Sequence, residues 1–165
     1  PGVGGHCIPI DPNYLSWVVQ SLGYRFRFVE LAQEISGRMP AYVAKRIQDA
    51  LNADRKSVNG STVLLLGVTY KENIGDQRET PVRPLAEHLL AMGADVRFYD
   101  PYVECFDVDG QNIVSESDLV GALSQAALAV LLQAHDEIVG SPALDGAQRI
   151  LDTRGVLSGD NVERL

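Results

Sequence analysis

The sequence predicts an α/β protein, a helical N-terminal segment followed by a doubly wound parallel sheet. Three observations carry that prediction. TVLLLGV (62–68) is apolar throughout, as a strand buried on both faces must be. From there to the C-terminus, short apolar runs alternate with amphipathic runs of helical period. Before residue 60, apolar residues recur only at helical spacing.

Residues 1–12 hold Pro1, Gly2, Gly4, Gly5, Pro9 and Pro12, a composition suited to a stiff, irregular loop. Asp11-Pro12 then reads as a capping side chain ahead of a first-turn proline. Tyr14, Leu15, Trp17, Val18 and Val19 follow in a short helix ending near Gly23. Helices are expected at 28–36 and at 40–53. The second begins at Pro40 and carries Val43, Ile47, Ala50 and Leu51 on one face, which a sheet domain starting near 60 need not cover. DRKSVNGS marks a boundary near 55–60, dividing the chain into 1–57 and 58–165. Beyond it the pattern predicts strand 62–68, loop 69–80, helix 81–92 closing at Gly93, and strand 95–99. A loop to 114, helix 116–126 behind Ser115, strand 127–132, a short helix near 142–147 and strand 149–152 complete it.

Fourteen Lys and Arg against 22 Asp and Glu leave a net charge of −8, which argues against a nucleic-acid or anionic-membrane surface. The longest apolar runs, VLLLGV and AALAVLL, fall far short of the ~20 residues of a bilayer span. Cys7 and Cys105 have no Cys or His companions at metal-ligand spacing, so no metal site is expected, and a reducing cytoplasm suits them.

Ligands of an open parallel sheet bind beyond the carboxyl ends of its strands. The loop after the first strand supplies Lys71 and Arg78 and ends at Thr80-Pro81, a helix N-terminus; the loop after the last supplies Arg154. These cations suit a phosphate or pyrophosphate. The same spacing also fits surface cations paired with Glu72, Asp76 or Asp152. Gly67 is followed by Val68, Thr69 and Tyr70 with no GxGxxG, which weighs against NAD at this sheet. Cys7, with glycines before it and prolines after it, suits a fixed nucleophile that a substrate can approach closely, with Asp11 as base or water-orienting group. It fits equally a small apolar residue in a loop, with Asp11 as a helix cap. His88 and His135 lack a shared spacing that would mark a site.

PGVGGHCIPIDPNYL resembles the catalytic-cysteine loop of the UDP-glucose/GDP-mannose dehydrogenase family, the nucleotide-sugar 6-dehydrogenases. ELAQEISGRMPAYV resembles their central, dimerising helix. GVTYKENIGDQRETPV and FYDPYV resemble the first strand-loop-helix-strand of their C-terminal nucleotide-binding domain, and LDTRGV its closing strand. The resemblance covers nearly the whole chain, in order. It implies an NAD-dependent, two-step oxidation of a sugar C6 alcohol to a uronate used in polysaccharide biosynthesis. Cys7 would trap the aldehyde and carry the thioester, and Asp11 would assist hydrolysis. Lys71, Arg78 and Arg154 would hold the diphosphate, Tyr70 would border the uridine, and Gly2, Gly4 and Gly5 would line the sugar and phosphates. It also implies a homodimer through the central helix.

Ile10 in GGHCIPIDP resembles the branch acting on UDP-N-acetylglucosamine or UDP-N-acetylmannosamine. Ser36-Gly37 departs from that branch and predicts a helix break or a weakened dimer contact. The chain opens without Met inside the glycine-rich segment and reads as part of a longer protein. NAD would be bound by an N-terminal domain absent from it, and this part alone is expected to be inactive. A nucleotide-binding or regulatory module without catalysis, and a redox-sensing thiol protein built on Cys7, are the competing readings.

Overall fold

A computed structural model describes all residues, 1–165. Two helices come first, α1 (Asp11–Ser21) and α2 (Arg27–Ala53). They are followed by β1 (Thr62–Leu66), α3 (Val82–Ala91), β2 (Asp95–Tyr99), β3 (Cys105–Val108), β4 (Gln111–Val114) and α4 (Leu119–Gln125). The remainder is β5 (Leu128–Leu131), α5 (Asp136–Val139), a 3-10 turn (Pro142–Gly146), β6 (Ile150–Asp152) and β7 (Val162–Arg164). No helix is long and apolar enough to cross a membrane.

The sheet runs β2-β1-β5-β6-β7, every pair parallel. The chain leaves β1 toward β2 and then returns past β1 to β5, so the order reverses between β1 and β5, where such sheets take ligands. Side chains of β1 alternate between two cores, as strand geometry requires. Val63 and Leu65 pack with α2 and α3; Leu64 and Leu66 pack with Leu123 of α4 and Ile138 of α5. Both faces are covered, which is why β1 and β5 read as unbroken apolar runs.

The expected helices 28–36 and 40–53 are one helix. α2 passes through Pro40, which lacks the N–H that would bond the Ser36 carbonyl. That carbonyl turns toward the N-terminal loop instead. An ideal Cβ on Gly2 would lie 3.5 Å from it, and the Ser36 hydroxyl accepts the Val3 N–H at 3.1 Å. Ser36-Gly37 therefore does not break the helix. The apolar face of the second half is covered after all: Val43, Ala44, Ile47, Ala50 and Leu51 share one core cluster with Val63, Leu65, Val82 and Leu85.

The expected loop 100–114 contains an antiparallel hairpin, β3 with β4. Asp109 (φ 51°) and Gly110 (φ 76°) both take positive φ, the two-residue turn that matches strand twist. Phe106 is buried edge-on against Phe98, ring centroids 5.9 Å apart. α4 starts behind Asp118 rather than Ser115, whose hydroxyl accepts the Asp100 N–H at 3.2 Å. β7, not expected from sequence, closes the sheet. Its Glu163 pairs with Arg46 of α2 at 2.8 Å and with Arg149 at 3.5 Å.

Candidate active and nucleotide site

The sheet's carboxyl edge brings together the loops after β1 (67–81), β5 (132–135) and β6 (153–157). β1 is followed by Gly67 (φ +78°), where a Cβ would lie 2.8 Å from the Gln133 carbonyl oxygen, so only glycine lets the two loops lie this close. Thr80 is buried and its hydroxyl accepts the Val82 N–H at 3.3 Å, opening α3.

The base of the first loop is fixed by residues the sequence reading passed over. His135, fully buried, has Nε2 3.1 Å from Thr69 Oγ1 and 3.2 Å from Asp100 Oδ2, and its Nδ1 accepts the Asn73 N–H at 2.9 Å. Asp100 also accepts the Val68 N–H at 2.8 Å and the Tyr102 N–H at 2.9 Å. These residues end three different strands, so no local spacing links them. It is the strand order β2-β1-β5 that places them on one edge.

Asp152 performs the same task for the third loop. Fully buried, its carboxylate accepts the N–H groups of Arg154 (2.7 Å), Gly155 (2.9 Å) and Leu157 (2.7 Å). It therefore holds the backbone of Arg154 and leaves the guanidinium exposed and without a carboxylate partner. Lys71 is likewise exposed and unpaired. Arg78 is not free. Its Nε lies 3.0 Å from both Asp76 carboxylate oxygens and its Nη2 2.5 Å from one of them. This pairing holds the Asp76 carboxyl below its ordinary range and pushes the Arg78 guanidinium higher still. Of the three expected phosphate cations, the surface-pair reading applies to Arg78 alone.

The glycine-rich segment docks on this loop. Gly5 donates its N–H to the Arg78 carbonyl at 3.2 Å. A Cβ on Gly4 would stand 2.5 Å from the Glu79 carbonyl and 2.8 Å from Tyr70 Cβ; one on Gly5 (φ +96°) would stand 2.8 Å from the Tyr70 ring. Tyr70 is thus packed against Gly4 and Gly5. At the start of the segment, Pro1 is buried.

Beyond the glycines the backbone turns into α1, the Cys7 carbonyl accepting the N–H of Ile10 (3.1 Å) and Asp11 (2.8 Å). The Cys7 thiol is exposed and free. It is not a buried loop hydrophobe. Asp11 is the first residue of α1, not its cap; the cap position is Ile10 and no side chain bonds there, so the Asp11 carboxylate stays exposed and available. A cleft of about 690 Å³ lies between the segment, α2 and the start of α3, lined by Val3, Pro9, Gln33, Ser36, Pro81 and Arg83 among others. None of the expected site residues lines it, although Ile8 and Glu79, adjacent to Cys7 and Arg78, do.

No three His, Cys, Asp or Glu side chains cluster as a metal site. A dinucleotide does not fit this sheet either. The turn after β1 has Tyr70 wedged on the glycine segment where a dinucleotide turn would need small residues, and α3 starts only at Val82.

The fold is a doubly wound α/β sheet whose carboxyl edge presents two free cations, with an exposed cysteine in the loop docked against it. Residues 64–159 match the UDP-binding domain of the UDP-glucose/GDP-mannose dehydrogenase family, and residues 1–37 match that family's central domain. The chain belongs to this family. It is 35% identical over 127 residues to a UDP-N-acetyl-D-mannosamine dehydrogenase of Methanococcus maripaludis, covering 75% of this chain and 28% of that protein. It is 39% identical over 108 residues to a UDP-N-acetyl-D-glucosamine 6-dehydrogenase of Pseudomonas aeruginosa, covering 65% and 26%. Among solved structures, the UDP-D-ManNAc dehydrogenase of Pyrococcus horikoshii superposes with TM-score 0.82 at 25% identity, over 99% of this chain and 38% of that one. The chain therefore spans well under half the length of the relatives it matches.

Proposed function

We propose that this chain is the cysteine-bearing and UDP-binding part of an NAD-dependent nucleotide-sugar 6-dehydrogenase, one that oxidises the C6 alcohol of a UDP-N-acetylhexosamine to the uronate. Residues 1–57 carry the cysteine loop and the dimer helix; residues 58–165 bind the UDP-sugar, with the second half of α2 packed on their sheet. The observation that carries this reading is the seating of Gly4 and Gly5 on Tyr70 and Arg78. It joins the Cys7 loop to the edge bearing Lys71 and Arg154.

The division of labour follows. Lys71 and Arg154, free of carboxylates, take the diphosphate through charge-assisted hydrogen bonds, and Arg78, already ion-paired, borders it. Tyr70 borders the uridine, and the backbone of Gly2, Gly4 and Gly5 admits the sugar and phosphates closely. The Cys7 thiolate bonds to the C6 aldehyde carbon. Once that adduct is oxidised, water cleaves the resulting thioester, returning the thiol and releasing the carboxylate, with Asp11 assisting the water. NAD supplies the oxidising equivalents, and we assign its binding to residues outside this chain.

The exposed stripe Phe28, Leu31 and Ile35 on the first half of α2, with Trp17 of α1, supports a homodimer through this region rather than through the 40–53 face. Calorimetric titration of the chain with UDP and GDP tests the site. UDP binding that Arg154→Ala weakens is expected. A folded sample that ignores UDP, or an Arg154→Ala affinity equal to wild type, overturns the assignment.

A further inference from the structure

The 69–73 turn is closed at its base by more hydrogen bonds than its own length explains. Asn73 stands in the left-handed region (φ 60°), its Nδ2 donating to Asp136 Oδ2 at 2.9 Å and its Oδ1 accepting the Asp136 N–H at 3.0 Å. Its own N–H goes to His135 Nδ1, so the ring proton of His135 sits on Nε2. Thr69 Oγ1 donates to the Lys71 carbonyl at 2.8 Å, which leaves the hydroxyl to accept from that Nε2–H together with Asp100. Gln133 Nε2 reaches the Thr69 carbonyl at 3.4 Å, and the Tyr102 ring lies 5.1 Å from the imidazole.

Every polar atom of the imidazole is thereby spent on structure, and the ring is sealed from solvent, so His135 cannot touch a substrate. What it does is pin residues 69 and 73 to the loop after β5. Between those anchors stand Tyr70, half-buried against Gly4 and Gly5, and the exposed Lys71 and Glu72.

We propose that His135, with Asp136, is a positioning residue of the nucleotide site, a clasp that presents Tyr70 and Lys71 to a UDP moiety in a preset arrangement. This rests on the UDP-binding reading above. Because the turn is already ordered, binding need not supply the cost of ordering it.

The two ring nitrogens can be tested separately in the 165-residue chain. His135→Gln keeps a donor toward Asp100 but offers the Asn73 N–H no acceptor. His135→Asn keeps an acceptor at the Nδ1 position and gives up Asp100. Calorimetry with UDP should show roughly tenfold weaker binding for His135→Gln and less than about threefold for His135→Asn, the scale of one hydrogen bond. Amide exchange at Asn73 should accelerate only in His135→Gln. Asp136→Ala, at an exposed position, should weaken UDP about threefold with unchanged melting, which keeps the test alive if His135→Gln fails to fold. Wild-type affinity in both His135→Gln and Asp136→Ala, or equal losses in His135→Gln and His135→Asn, overturns the positioning role. Fast Asn73 exchange in the wild type overturns the clasp alone. A protected Asn73 in a chain that takes up no UDP overturns the nucleotide reading and the proposal with it.

Discussion

Ser36 Oγ accepts the N–H of Val3, thirty-three positions away in sequence, at 3.1 Å, while Pro40 four residues later leaves the Ser36 carbonyl turned to the same segment. A helix interior thus anchors the backbone that leads to Cys7. Ser36→Ala should lose about 1 kcal/mol of local hold on that segment. Amide exchange at Val3 should quicken while the sheet amides stay unchanged.

Gly4→Ala places a methyl against the Glu79 carbonyl and Tyr70 Cβ, both backbone-tied groups that yield poorly. The expected cost is about 1–3 kcal/mol, taken by undocking of residues 1–6 rather than by unfolding. UDP binding should fall with it, and nuclear magnetic resonance shifts at Tyr70 and Arg78 should report the undocking.

Asp152→Ala strips the acceptor from three backbone N–H groups in a buried position. The loss should be on the order of 2–4 kcal/mol, read from denaturant unfolding. Arg154→Ala, exposed and unpaired, should leave the unfolding curve where it is and act only on ligand binding.

The Asp76–Arg78 pair carries a pH signature. The folded Asp76 pKa lies below its unfolded value, so the contribution of the pair is complete above that ordinary value and is lost as pH falls through the lowered one. A carboxyl titration should place the Asp76 midpoint below 3.8, and Arg78→Ala should return it toward that value.

On the proposed chemistry, Cys7→Ser in a dehydrogenase that contains this chain should abolish complete oxidation, because a hydroxyl is a poorer trap for the aldehyde and a poorer leaving group. Asp11→Asn should slow steady turnover but leave an initial burst of NADH, since hydrolysis follows both oxidations. The 165-residue chain alone should yield no NADH in the same assay.

Elements whose signal is local were legible in the sequence. β2 was read to the residue, and β1, β5 and α3 to within a few residues, because burial on both faces or along one stripe writes itself into composition. The hairpin was missed although Asp109-Gly110 is a strong turn signal, since Cys105–Val108 alternates without being apolar. Pro40 suggests a helix start at 40, yet α2 runs through it, with the Ser36 hydroxyl accepting the Val3 N–H from the N-terminal loop, a contact that no local spacing shows. The same limit applies to the site. Cys7, Lys71 and Arg154 could be nominated from residue type, but His135 and Asp152 act through backbone groups of other loops, and that pairing exists only once the strand order is known.

Both borders of the sheet are strands that carry ion-paired side chains. On β2, Arg97 bonds Asp95 at 3.0 Å and lies 3.7 Å from Glu116. On β7, Glu163 is held by two arginines and Arg164 donates to the Leu157 carbonyl at 2.7 Å. A neighbouring molecule that tried to extend the sheet would have to bring its own strand alongside these fixed charges, and β7 offers only three residues to pair with. The borders thus resist edge-to-edge aggregation, and a sheet whose inner strands are among the most apolar segments of the chain remains finite.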